Sequence, residues 1–193
     1  MNVKIKRLHP DAVIPQYATP GAAAFDLVAV EDVIIAPGKT KKVPIGLAFE
    51  IPEGYVMIVA MRSGVALKTK LRQPNGIGVI DWDYRGEVAM MFDNISPING
   101  GFVKPYLYGI NGEVTEHLIA EPAPLFTYLI RKGDRVAQAF ILPIPHVNLI
   151  ETDEELSETE RGTGGFGHTG VTTKEAIEGL REASETWREA TVN

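Results

Sequence analysis

Val33-Ile-Ile-Ala-Pro-Gly-Lys-Thr-Lys-Lys-Val-Pro-Ile-Gly-Leu-Ala-Phe-Glu50 runs straight into Ile51-Pro-Glu-Gly-Tyr-Val-Met-Ile-Val-Ala-Met61. Three apolar runs, Val33–Ile35, Val43–Glu50 and Tyr55–Met61, are parted by the turn signals Ala36-Pro37-Gly38 and Pro52-Glu53-Gly54. Proline presets one turn dihedral and glycine accepts a positive φ, so each tripeptide reverses the chain cheaply. Runs this short, punctuated this regularly, read as strands. The rhythm continues outward. Val3–Leu8 alternates with period two, and strands are expected at Phe25–Ala29, Gly76–Asp81, Glu87–Phe92 and Arg135–Ile144. Pro10, Pro15 and Pro20 break the chain between the first two. Short strands at this spacing predict an all-β fold, an antiparallel barrel or sandwich rather than a parallel α/β sheet.

The chain has 193 residues, 45% hydrophobic and 23% charged, enough for a substantial core without covalent staples. It has no cysteine, which excludes disulfides, thiolate metal sites and thiol catalysis. The four histidines are too scattered for a local His metal site. The net charge of −6 argues against nucleic acid as a partner. A small anion remains possible, because a few converging arginines can reverse a local field. No apolar stretch approaches membrane-spanning length, and Met1–Pro10 lacks the apolar region of a signal peptide. The expected location is cytoplasmic.

Three stretches depart from the strand rhythm. Ser96–Leu125 is rich in Gly, Pro and Tyr and carries Asn111-Gly112, a strong hairpin signal. A hairpin of its own is expected there, with Phe102, Tyr106, Tyr108 and Leu118 as apolar surface. Glu151–Glu160 holds six acidic residues and reads as a solvated connector. Beyond Gly170 the pattern turns helical: Thr172 and Glu175 fit a capping box, and Ile177, Leu180, Ser184 and Trp187 share a face. The expected division is a β domain over 1–170 and a helical extension over 171–193.

Five segments carry candidate chemistry. Arg161-Gly-Thr-Gly-Gly-Phe-Gly-His-Thr-Gly170 has five glycines in ten residues, exposing backbone N–H groups that can wrap an anion. It resembles a P-loop only loosely, since no buried strand precedes it; a phosphate-closing flap is the better reading, a plain linker the bland one. In Gly78-Val-Ile-Asp-Trp-Asp-Tyr-Arg-Gly86, a carboxylate at a strand end can accept a proton from water. The plain alternative makes Asp81 and Asp83 turn residues. Arg62-Ser63-Gly64 offers a planar fork, a hydroxyl and close backbone approach to phosphate, yet alone it is usually a turn. Gly133-Asp-Arg-Val-Ala-Gln138 leads into a strand, with Gln138 a phosphate donor and Arg135 equally suited to an ion pair. Phe25-Asp26-Leu27 holds one carboxylate between apolar residues.

In this order, Gly21–Leu27, Met61–Gly64, Gly78–Gly86, Gly133–Gln138 and Arg161–Gly167 resemble the five motifs of the trimeric deoxyuridine triphosphatase (dUTPase) family. The resemblance implies a jelly-roll-like subunit, a homotrimer with shared active sites, and Mg2+-dependent hydrolysis of dUTP to dUMP and pyrophosphate. It makes Asp81 the base that activates water. It gives uracil recognition to the backbone around Asn75, Gly78, Val79 and Ile80, and packs Tyr84 under the deoxyribose. Arg62, Ser63, Gly64, Gln138, Arg161, Gly167 and His168 would serve the phosphates, Phe166 would stack on uracil, and Asp26 would support the hydrated metal. The family's usual connection between its third and fourth motifs is shorter, so Ser96–Leu125 reads as an insertion, with a protein partner as its sharper role. Two alternatives stand beside this. A dCTP deaminase of the same fold would need a glutamate where Met91 stands; a nucleotide-responsive binding module would use the insertion.

Overall fold

A computed structural model describes residues 1–98, 102–168, 170, 172–174 and 177–178. The chain forms two compact units, Met1–Val147 and Asn148–Asn193, so the division expected at residue 170 falls inside the second. The first unit contains β1 (Lys4–Arg7), β2 (Phe25–Val28), β3 (Val33–Ile35), β4 (Thr40–Glu50), β5 (Tyr55–Met61), α1 (Ser63–Lys68), β6 (Leu71–Arg72), β7 (Gly78–Ile80), β8 (Val88–Asn94), β9 (Val103–Gly109), β10 (Val114–Pro124), β11 (Tyr128–Ile130) and β12 (Arg135–Pro143). These make three four-stranded sheets, ordered β1-β4-β8-β6, β10-β9-β11-β3 and β2-β12-β5-β7. The all-β, jelly-roll-like fold expected from the turn rhythm is what forms.

Burial follows the pleat. In β8, Val88, Met90, Phe92 and Asn94 point inward while Met91 is exposed. Burying each large apolar side chain contributes about 1.5–3 kcal/mol, and a one-residue slip would turn the whole set outward. Ile35, Val43, Ile45, Leu47, Met57, Val59, Ile130 and Val136 join them in one core.

Several elements differ from expectation. Strand β4 begins at Thr40 rather than Val43, because Thr40, Lys41 and Lys42 pair with Asp93, Phe92 and Met91; polar, exposed strand residues leave no apolar signal. Gly76–Asp81 and Glu87–Phe92 lie in different sheets, β7 against β5 and β8 against β4. Phe126 has a φ of 66° and sits in the turn before β11. Arg62-Ser63-Gly64 opens the helix α1, whose only buried residue is Val65; six residues are too few to show a helical period. The hairpin around Asn111-Gly112 forms as β9 and β10, with Gly112 at φ +81°. Less expectedly, β9 also runs parallel to β11, so the hairpin extends a core sheet.

The second unit, among its described residues, consists of turns and exposed chain with short helical pieces. Residues 173–174 and 177–178 are helical, and Lys174 Nζ lies 3.9 Å from Glu178 Oε1, one turn on. The remainder of the expected helix, including Glu175, Leu180, Ser184 and Trp187, lies outside the described residues. Among the described residues no helix is long and apolar enough to cross a membrane.

One buried polar side chain ties two sheets together. Asn94, fully buried at the end of β8, donates through Nδ2 to the carbonyls of Ile35 and Phe126, both at 2.9 Å. Its Oδ1 accepts the Ser96 N–H at 3.0 Å. Truncation would leave three backbone groups unpaired in the interior. Asn94→Ala is therefore expected to cost about 3 kcal/mol of unfolding free energy, read by urea denaturation; a loss below 1 kcal/mol would mean that water replaces the amide without penalty.

Candidate functional site

Strand β5 sits between β12 and β7 and gathers candidate residues at both of its ends. At the far end, Gln138 on β12 faces Ala60 on β5 and Asp26 on β2. Arg62 follows β5 directly. Its Nε lies 2.9 Å from Asp26 Oδ1, while Arg135 Nη1 donates to Asp26 Oδ2 at 3.0 Å. Arg62 Nη1 also donates to the Arg135 carbonyl at 3.3 Å. Side chains 22% exposed at Asp26 and 29% at Arg62 leave this network partly desolvated. Its value lies more in orientation than in net stability, since ion pairs at this exposure contribute little. Gln138 Nε2 reaches the Met61 carbonyl at 3.4 Å. The Ser63 hydroxyl and Gly64 are exposed at the start of α1.

Each carboxylate oxygen of Asp26 meets a guanidinium. Among the described residues no group of three His, Asp or Glu side chains gathers around a possible ion.

Along the middle of β5, β7 pairs through Val59 with Gly78, Ile58 with Val79 and Met57 with Ile80, so that Asp81 falls toward the end away from Arg62. A Cβ on Gly78 would stand 3.1 Å from Val59 Cβ, which explains a residue without one. Strand β7 is the outermost of its sheet, so its outer backbone groups are open to a ligand's hydrogen-bonding edge. Before it, Asn75 takes part in a tight turn, its carbonyl accepting the Ile77 N–H at 2.7 Å. After it, the Tyr84 N–H donates to the Asp81 carbonyl at 3.2 Å. The turn thus begins at Asp81, and Asp81 and Asp83 do not alternate as strand residues would. Both are exposed, as is Tyr84. The Tyr84 ring lies over Gly86, where any Cβ would collide with it, and its hydroxyl donates to the Glu87 carbonyl at 3.2 Å. Arg85 Nη1 closes the turn on the Trp82 carbonyl at 2.7 Å.

These two ends are far apart. Ile80 stands opposite Met57, five residues before Arg62, and a strand rises roughly 3.3 Å per residue, so they are separated by roughly 17 Å.

In the second unit, turns recur along Arg161–His168. Arg161 Nε donates to the Gly164 carbonyl at 2.9 Å, and the His168 ring stands where a Cβ on Gly164 would be. Phe166 has a φ of 49°, a left-handed conformation rare outside glycine, and its ring is fully exposed. Gly167, at φ +90°, completes the reversal.

Sequence reasoning missed Lys68, Ile110 and Asn111. They line a cavity of about 320 Å³ with Arg62, Gly64, Val65, Gly133, Asp134 and Arg135. No local motif marks them, since the helix and the hairpin meet only in three dimensions. A larger cavity of about 460 Å³ lies under the β9–β10 turn beside Arg131, and of the segments singled out from sequence it touches only Asn111 and Asp134.

Comparison with known proteins gives one answer. The dUTPase family model matches residues 11–99 and 111–170. The chain is 43% identical over 170 residues to the deoxyuridine 5'-triphosphate nucleotidohydrolase of Nautilia profundicola, covering 88% of this chain and 99% of that one. Among solved structures, the Staphylococcus bacteriophage 80alpha dUTPase with dUpNHpp is similar at a TM-score of 0.82 and 32% identity, covering 88% of this chain and 99% of that one. A point mutant of the dUTPase from phage phi11 of S. aureus, solved with attention to a structural Mg(II) ion, follows at 0.75 and 30%, covering 80% and 98%.

The Arg62 network makes a prediction about anion binding. Lysine keeps the charge but cannot hold Asp26 and the Arg135 carbonyl while presenting a further N–H. Losing one charge-assisted hydrogen bond of about 1.5 kcal/mol, Arg62→Lys is expected to weaken inorganic pyrophosphate binding about tenfold by calorimetry. Unchanged affinity would reduce Arg62 to a counter-ion of Asp26.

Proposed function

We propose, since the chain belongs to the dUTPase family, that it hydrolyses dUTP to dUMP and pyrophosphate at sites shared between three copies. The observation that carries the reading is the layout of β5. An Arg-Ser-Gly anion cradle stands at one end, and the open backbone edge of β7 runs back along β5 from Gly78 opposite Val59 to Ile80 opposite Met57, where the carboxylate of Asp81 follows, roughly 17 Å away. That distance exceeds the span of one triphosphate. A homotrimer in which one copy's cradle meets another's β7 edge resolves the mismatch.

Within such a site, backbone groups around Asn75, Gly78, Val79 and Ile80 read the uracil edge. Cytosine presents donor and acceptor reversed there, leaving those groups unpaired, which supports strong rejection of dCTP. Tyr84, held by Glu87 and Gly86, forms the floor under the deoxyribose. Arg62, Ser63, Gly64 and Gln138 hold phosphate oxygens. Asp81 accepts a proton from water as the water oxygen bonds to the α-phosphorus and the bond to the bridging oxygen breaks. Pyrophosphate carries away that electron pair.

From the second unit, Arg161, His168 and the backbone at Gly167 add contacts to the phosphates, and Phe166 stacks on uracil. Its fully exposed ring supports this, because an apolar surface of that size awaits a cover. The donor set fits Mg2+ held mainly by the substrate's own phosphate oxygens, with Asp26 acting through Arg62 and Arg135. When bound, the ion would neutralise charge on the leaving pyrophosphate. A cytoplasmic location belongs to the same proposal. The exposed Phe102, Val103 and Val114 of the β9–β10 hairpin also offer an apolar face to a protein partner, beside the enzymatic role.

Two measurements test the reading. Asp81→Asn is nearly isosteric yet cannot take a proton at neutral pH, so turnover should fall roughly 10²–10⁴-fold while dUTP affinity is kept. Near-normal hydrolysis would remove Asp81 from the base role. Deleting residues 161–193 should leave the β unit trimeric by light scattering with turnover reduced at least about tenfold, because the closing contacts go with the flap. Loss of the trimer would make the second unit structural instead.

A further inference from the structure

The β9–β10 turn reaches α1, the short helix that begins with Ser63 and Gly64. A Cβ on Gly112 would stand 2.5 Å from the Lys68 carbonyl oxygen and 3.3 Å from Lys68 Cβ, so only a glycine lets the two backbones come this close. The tip is itself braced. Asn111 Oδ1 accepts the Glu113 N–H at 3.1 Å, and Asn111 Nδ2 donates to Glu113 Oε2 at 2.7 Å. On the helix side, the Lys70 N–H donates to the Tyr128 hydroxyl at 3.0 Å, and Arg72 Nη1 donates to the carbonyls of Ala66 and Thr69, both at 3.1 Å. The C-terminal end of α1 is therefore held by the hairpin tip, Tyr128 and Arg72, while Gly64, Val65 and Lys68 line the cavity shared by Arg62, Arg135, Ile110 and Asn111.

We propose that Gly112 is a positioning residue for the phosphate end of the site: by bearing on the Lys68 backbone it sets the depth of α1 and so the stance of Arg62 and Ser63. The inference rests on the dUTP hydrolysis proposed above and extends it, because the hairpin lies outside all five motifs. Six residues make a rigid lever. A side chain at residue 112 meets backbone, which cannot rotate aside, so the helix or the tip must shift. Misplacing a phosphate-orienting group by about 1 Å can cost on the order of 100-fold in rate.

The test is Gly112→Ala in the full-length protein, set against Gly54→Ala. Gly54 has a φ of +80°, matching the +81° of Gly112, but nothing lies within 4 Å of a Cβ there. The control thus carries the same backbone strain without the push. For Gly112→Ala the expected result is a KM for dUTP raised about tenfold or more, with inhibition by inorganic pyrophosphate weakened in parallel. The preference for dUTP over dCTP should stay unchanged, because uracil is read by the backbone of the edge strand β7 and not by α1. Gly54→Ala should keep both KM and kcat. Should Gly112→Ala not fold, Asn111→Ala relaxes the tip without adding an atom, and it should raise KM and weaken pyrophosphate inhibition in the same direction. A folded Gly112→Ala or Asn111→Ala protein with wild-type KM and pyrophosphate inhibition overturns the proposal. So does a variant that loses base selectivity along with affinity, since that marks general damage. An unmodified protein inactive on dUTP refutes the functional reading itself, a result separable from either.

Discussion

Everything at the site depends on the register of β5. It pairs with β12 along its whole length, from Tyr55 with Pro143 to Met61 with Ala137, and with β7 over Met57–Val59. Val56, Met57 and Val59 are buried, and a slip by one residue would expose side chains worth about 1.5–3 kcal/mol each. The register is thus enforced by packing, and with it the distance between the two halves of the site. No local rearrangement of loops shortens a strand.

The far end of β5 also reconciles a net charge of −6 with an anionic substrate. Arg62, Lys68 and Arg135 line one cavity together with Asp134, and the carboxylates of Asp134 and Asp26 offset only part of their charge. The local field is positive although the chain is acidic. Asp26 does more than offset charge. Its two oxygens separate two guanidinium groups that would otherwise repel, and each keeps further N–H donors for a ligand. A carboxylate in the first of the five segments thus fixes arginines of the second and fourth.

The β9–β10 hairpin is joined to the core by its aromatic side chains. Its Tyr106 and Tyr108 join Phe126 and Tyr128 in ring contacts at centroid distances of 5.5–6.2 Å. Burial of Tyr108, together with its hydrogen bond to Tyr106, pushes the phenol above its usual pKa, which keeps it neutral within that cluster. Phe102, by contrast, stays exposed. Pairing of β9 with β11 turns the segment into two more strands of an existing sheet, leaving its tip close to α1.

Turn chemistry and alternation are local properties, so the sequence by itself determined the all-β class, the strands at Val33–Ile35 and Tyr55–Met61, the hairpin at Asn111-Gly112, and the residue types able to bind phosphate or accept a proton. It determined the order of those segments but not which would meet. That Asp26 clamps Arg62 and Arg135, that Asp81 lies at the opposite end of β5, and that Gly112 presses on Lys68 were decided only by tertiary structure. Each joins residues dozens of positions apart, through a register or a crossing that no single segment encodes. Helix α1 belongs with them. Six residues with one buried side chain carry no period of their own, and the helix is held by Arg72, Tyr128 and the hairpin tip packed around its end.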